Sequence, residues 1–140
     1  MRNSVFIDAS AWIGIIDEND RRYEIAQRTY NELLANKTPL TTINWTVYEA
    51  ISLVKGRRGY SQAYTLWERI TTSRLVTLVR ITEDIEAAAL NIFWRYRDKI
   101  WGVVDCASLV VMERMDCEAA FAFDGHFKES SRQYGFQVIP

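Results

Sequence analysis

Four segments of this chain are apolar apart from a single carboxylate, and that pattern limits the fold more than any other feature of the sequence. Asp8 stands alone in residues 4–16, Glu49 in 44–54, Asp105 in 100–112 and Asp124 in 119–125. Segments this apolar are expected to be buried, and burying an ionised carboxylate without a partner costs several kcal/mol or forces it to take up a proton. None of the four stretches contains a Lys or Arg. A fold that gathers the acids can neutralise them together with a divalent cation, which prefers hard oxygen ligands.

The rest of the chain reads as strands alternating with helices. Residues 4–8 form a short apolar run, a buried strand by its pattern, and 9–17 continue as an apolar helix. Asp20 is placed to cap a second helix with Tyr23, Ala26, Tyr30, Leu33 and Leu34 on one side, ended by Pro39. Residues 40–43 form a strand. Asn44 is placed to cap a helix reaching Lys55, with Gly56 and Gly59 marking its end, and Ser61 opens another. Residues 75–79 are a β-branched strand, and Thr82 caps a helix with acids in its first turn. A helix over 103–115, a strand over 118–123, a short helix after Asp124 and a last strand over 136–139 complete the pattern. Alternation of this kind predicts a three-layer α/β/α domain over residues 1–140 with a central, mainly parallel sheet.

On that plan Asp8 and Asp124 end strands, and Asp105 lies in the first turn of its helix. All three are placed for the crevice beyond the carboxyl ends of parallel strands, where ligands bind. Each also fits a plain N-cap, worth about 1 kcal/mol. Glu49 lies too deep in its helix to be a cap. It points away from the Val47, Ala50, Ile51, Val54 stripe, on a side that carries no other charge. Other chemistries find little support. No glycine-rich phosphate loop is present. A nucleophilic triad needs a histidine, and there is one, His126, which reads first as a surface or packed residue and otherwise as a group that positions a phosphate or a water. Arg80 stands where a phosphate-accepting receiver would need an aspartate, and Asp8-Ala9-Ser10 lacks the second acid of a haloacid-dehalogenase-type phosphatase. The acids therefore point to metal-dependent phosphodiester hydrolysis.

A chain of 140 residues is long enough for a real core. Its net charge of −1 gives no global attraction to nucleic acid, so RNA or DNA contacts fall to local clusters: Arg21 and Arg22; Lys55, Arg57 and Arg58; Arg95, Arg97 and Lys99. The two cysteines, Cys106 and Cys117, have no metal-site spacing and suit a reducing compartment. No leader pattern opens the chain and no apolar run is of membrane-spanning length, so the expected location is cytoplasmic.

The motifs resemble those of the PIN-domain family and, within it, the VapC-type toxins of prokaryotic toxin–antitoxin pairs. Val5-Phe6-Ile7-Asp8-Ala9-Ser10-Ala11-Trp12 is similar to the opening strand and first acidic motif. Residues 42–49, 104–109 and 122–127 are similar to the second, third and fourth, and 135–140 to the closing strand. The resemblance implies a Mg2+- or Mn2+-dependent endoribonuclease leaving 5′-phosphate and 3′-hydroxyl ends. By matched position, Asp8, Glu49, Asp105 and Asp124 hold the metal, with Ser10 beside them. It further implies an RNA substrate, a cognate antitoxin whose basic tail can insert an Arg among the acids, and a homodimer. A PIN nuclease of RNA maturation and an inactive RNA- or protein-binding module are the competing readings. The chain departs from the pattern at Gly102 and Ala122, where hydroxyl side chains are common. The five tryptophans suit either a core or an interface.

Overall fold

Short β-rich runs, each followed by a helix-starting or turn segment, build the sheet. The structure is a computed structural model describing residues 4–140; Met1–Asn3, over which the single-domain and no-leader expectations also extend, lie outside the described residues. In chain order the elements are β1 (Ser4–Ile7), α1 (Ala9–Ile16), α2 (Tyr23–Ala35), β2 (Leu40–Ile43), α3 (Asn44–Arg58), α4 (Tyr60–Thr72), β3 (Val76–Val79), α5 (Glu83–Arg95), α6 (Val103–Arg114), β4 (Cys117–Phe121), α7 (Gly125–Tyr134) and β5 (Gln137–Ile139). The strands run in the order β3-β2-β1-β4-β5, and every pairing among them is parallel.

Strand side chains alternate between two faces, and each face meets its own helices. Val5, Ile7, Leu40 and Phe121 pack with Trp12 of α1, Val47, Ala50 and Val54 of α3, and Leu66 and Ile70 of α4. Phe6, Ile43 and Ala120 pack on the other face with Ile85 and Ala89 of α5, Leu109 and Met112 of α6, and Phe127 of α7. The result is the three-layer α/β/α architecture. Full burial of a side chain such as Phe or Ile stabilises by about 1.5–3 kcal/mol. Phe6, Ile7 and Phe121 are all completely buried, so the central strands are the most firmly held part of the sheet.

Connectivity then places the site. From β1 the chain moves to β2 and β3 on one side, and later fills β4 and β5 on the other. The direction of winding reverses between β1 and β4, and a crevice opens beyond the carboxyl ends of those two strands. Polar side chains brace that end of β1. The Thr42 hydroxyl donates to the Ile7 carbonyl at 3.0 Å and accepts from Trp12 Nε1 at 3.1 Å.

Several expected helix ends fall elsewhere. The Asp20 carboxylate accepts from the Arg22 N–H, so it caps a turn, and α2 begins at Tyr23 without a side-chain cap. Asn44 opens α3, but its side-chain oxygen accepts from the Ile81 N–H at 2.9 Å and ties α3 to the segment after β3. Helix α3 runs through Gly56 to Arg58 and stops at Gly59, whose φ of 91° disfavours any residue with a Cβ. The tryptophans divide: Trp12 and Trp101 are buried in the cores, whereas Trp94 is 70% exposed. No helix among the described residues is long and apolar enough to cross a membrane.

Candidate metal centre

Asp8 enters the site directly from β1. Its backbone N–H donates to the Phe121 carbonyl, which fixes it between the ends of β1 and β4. It is the N-cap of α1, and Oδ2 accepts from the Ser10 N–H at 3.2 Å and the Ser10 hydroxyl at 2.8 Å. The same hydroxyl accepts from the Phe123 N–H at 3.0 Å. Ser10 therefore clamps Asp8 to the segment that carries Asp124. Burial pushes the Asp8 carboxyl up to about 6, against the Ser10 hydrogen bonds and with help from the Asp105 charge.

Asp105 is the third residue of α6. Its Oδ2 accepts from the Gly102 N–H at 2.9 Å and lies 3.0 Å from His126 Nδ1. Burial raises its pKa and repulsion from Asp124 adds to this, while the Gly102 hydrogen bond and His126 oppose the rise. Asp124 caps α7, its Oδ1 accepting the His126 N–H at 2.8 Å and lying 3.3 Å from His126 Nδ1. Glu49 reaches in from α3. Although the residue is exposed, partial desolvation raises its pKa, and Asp105 and Asp124 raise it further. Asp105 thus interacts electrostatically with each of the other three acids.

Asp8, Ser10, Glu49, Asp105 and Asp124 all line one cleft of about 480 Å³, together with His126, Arg22 and Arg57. Among the described residues, none of the four acids has a Lys or Arg ion-pair partner. Arg22 is bound to Asp20 at 3.1 Å and lies over the Phe123 ring. The expectation of deep burial holds only for Asp8, at 6% exposed; the other three sit in the wall of an open cleft, where solvent shares the cost of their charge. The donor set fits a hard divalent cation: carboxylates converge, repel one another and have no Lys or Arg ion-pair partner among the described residues. One ligand atom each from Asp105, Asp124 and His126 lie within 4.8 Å of one another.

The N-cap readings of Asp8 and Asp124 hold as well, since each caps a helix while lining the cleft. His126 lies in the cleft beside Asp105 and Asp124, which fits a residue serving the site better than a plain surface or packed one. A signal was present, because Asp124-Gly125-His126 repeats the spacing of Asp8-Ala9-Ser10. In both, the acid caps a helix and accepts the backbone N–H of the second residue on, whose side chain then faces the cleft. The basic clusters split. Arg22 and Arg57 rim the cleft, Arg58 pairs with Asp17, and Lys99 lies between Asp98 and Glu129.

Comparison with known proteins bears on the family and the fold. The PIN domain family matches residues 5–132. The 23S rRNA-specific endonuclease VapC20 of Mycobacterium tuberculosis is 31% identical over 124 residues, spanning 88% of this chain and 91% of the relative. The crystal structure of VapC20, a Sarcin-Ricin loop cleaving toxin, superposes with a TM-score of 0.80 at 30% identity over 90% of this chain and 94% of the other. FitAcB from Neisseria gonorrhoeae shares the fold at 14% identity, with a TM-score of 0.68 over 97% and 96% of the two chains. On the strength of the matched residues and the shared sheet, this chain belongs to the PIN-domain family.

Proposed function

We propose that this protein is a Mg2+- or Mn2+-dependent endoribonuclease acting in the cytoplasm as the toxin of a toxin–antitoxin pair. The observation that carries this is the convergence of Asp8, Glu49, Asp105 and Asp124 on one cleft at the winding reversal of the sheet, none of them ion-paired with a Lys or Arg among the described residues. The kinship with VapC20, an rRNA endonuclease described as a toxin, supports RNA as substrate and an antitoxin as partner. A homodimer is part of the same proposal and rests on the family resemblance alone.

Asp105 is the acid that interacts electrostatically with each of the other three. Asp8 and Asp105 would hold the cation, and Asp124 and Glu49 would act through water or hold a second ion. When bound, the cation supplies positive charge to the scissile phosphate and makes a nearby water easier to deprotonate. Ser10 keeps Asp8 in its productive rotamer through the hydroxyl shared with the Phe123 N–H. Glu49 is the most solvent-facing acid, and its raised pKa suits it to accept a proton from water. Arg22 and Arg57 on the rim offer positive charge to flanking phosphates.

The test is cleavage of an rRNA stem-loop and of a total RNA pool with added Mg2+ or Mn2+. Asp8→Asn and Asp105→Asn are each expected to reduce cleavage by several orders of magnitude. Full cation-dependent cleavage by either variant would contradict the assignment.

A further inference from the structure

We propose that His126 is a nitrogen ligand of the cation centre and makes it prefer a transition-metal ion, Mn2+ over Mg2+. This rests on the metal-dependent nuclease reading and adds to it a residue and a metal preference.

The ring is aimed by the backbone. Asp124 caps α7 and accepts the His126 N–H at 2.8 Å, so the second residue of the helix turns back over its own cap. Phe127, 1% exposed, anchors the same turn in the core beside Phe6 and holds it in place. Nδ1 then lies 3.0 Å from Asp105 Oδ2 and 3.3 Å from Asp124 Oδ1. With the three ligand atoms mutually within 4.8 Å, the second ion that Asp124 would hold can touch two oxygens and one nitrogen. Neither a packed nor a solvated histidine requires its ring nitrogen to sit between two carboxylates. An imidazolium ion-paired with Asp105 would account for the same distances, and the experiment separates the two.

Ligand chemistry gives the preference. Mg2+ takes oxygen ligands and keeps much of its water, whereas imidazole is a ligand of transition metals. Mn2+ accepts carboxylates and imidazole together. A nitrogen donor at this position therefore strengthens Mn2+ binding and contributes little to Mg2+.

The experiment uses the metal-free full chain titrated calorimetrically with Mn2+ and with Mg2+, and pulsed electron paramagnetic resonance of the Mn2+-loaded protein. The unaltered chain is expected to show nitrogen modulation from a directly bound imidazole. His126→Ala should abolish that modulation and weaken Mn2+ binding on the order of tenfold or more, as even the loss of an outer-sphere partner can, while Mg2+ affinity stays unchanged. The resonance measurement needs no variant, so a folding defect in His126→Ala leaves the test intact. Mn2+ bound without nitrogen coupling, or an equal loss for both ions, would overturn His126 ligation and favour the ion pair with Asp105. A chain that binds neither ion would overturn the nuclease reading itself.

Discussion

At Asp8 the fold works against ionisation. The residue is 6% exposed, and burial lifts its carboxyl from 3.8 to about 6 even though Ser10 donates two hydrogen bonds to it. Between those pH values the folded chain keeps a proton that the unfolded chain has released, so stability falls as pH rises through that window. A shift of about two units, at 1.36 kcal/mol each, corresponds to about 3 kcal/mol. Glu49 and Asp105, also raised by desolvation, act in the same direction. Asp8→Asn retains an oxygen for Ser10 and removes the charge. In chelator at pH 7 the variant is therefore expected to melt at a higher temperature than the parent, with the two converging near pH 4. Calorimetric melts at both pH values check this, and a lower melting temperature for the variant at pH 7 would contradict it. A variant that is more stable yet inactive would also show that Asp8 serves function at the expense of the fold. Asp8 was legible in the sequence because burying a lone acid in an apolar run costs several kcal/mol, more than the roughly 1 kcal/mol that an N-cap returns. His126 was legible only through its repeat of the Asp8-Ala9-Ser10 spacing, because one polar residue in a helix's first turn otherwise looks the same whether it faces solvent or two carboxylates.

At the scale of elements, the strand–helix alternation was readable because each strand is a short run of apolar or β-branched residues bounded by polar or turn residues. Element ends were less readable, because tertiary partners claim the capping groups. The Asn44 side-chain oxygen accepts from the Ile81 N–H rather than from an N–H of its own helix. Gly56 and Gly59 look equivalent in sequence, yet Gly56 sits inside α3 while Gly59 breaks the chain between α3 and α4 with φ 91° and ψ 176°. That combination is nearly exclusive to glycine and costs other residues about 1–3 kcal/mol. No atom lies within 4 Å of a Cβ built on Gly59, so the cost is one of backbone strain alone. Gly59→Ala should lower the unfolding free energy by that amount in a urea titration, whereas Gly56→Ala, in an open helical position, should leave it equal or higher. A neutral Gly59→Ala would show that the turn relaxes at no cost.

For the whole molecule, the sheet order decides where function sits. Which strands lie side by side is a long-range matter that local pattern does not report. The parallel class was foreseeable, whereas the order β3-β2-β1-β4-β5, which puts Asp8 and Asp124 at one crevice, comes from the structure. Because the acids come from β1, α3, α6 and α7 or their ends, a cation bound among them links most of the fold. A ligand at a hundred times its Kd stabilises by about 2.7 kcal/mol. Saturating Mn2+ should raise the melting temperature of the metal-free chain, chelator should reverse the rise, and Asp105→Asn should abolish it. A rise of equal size in Asp105→Asn would place the ion elsewhere. The most direct measurement of the central claim is an anomalous difference map from crystals grown with Mn2+. The account predicts a peak in the cleft within coordination distance of Asp105 and at least one of Asp8 and Asp124. A map with no peak there, from crystals that hold Mn2+ at some other surface, would contradict it.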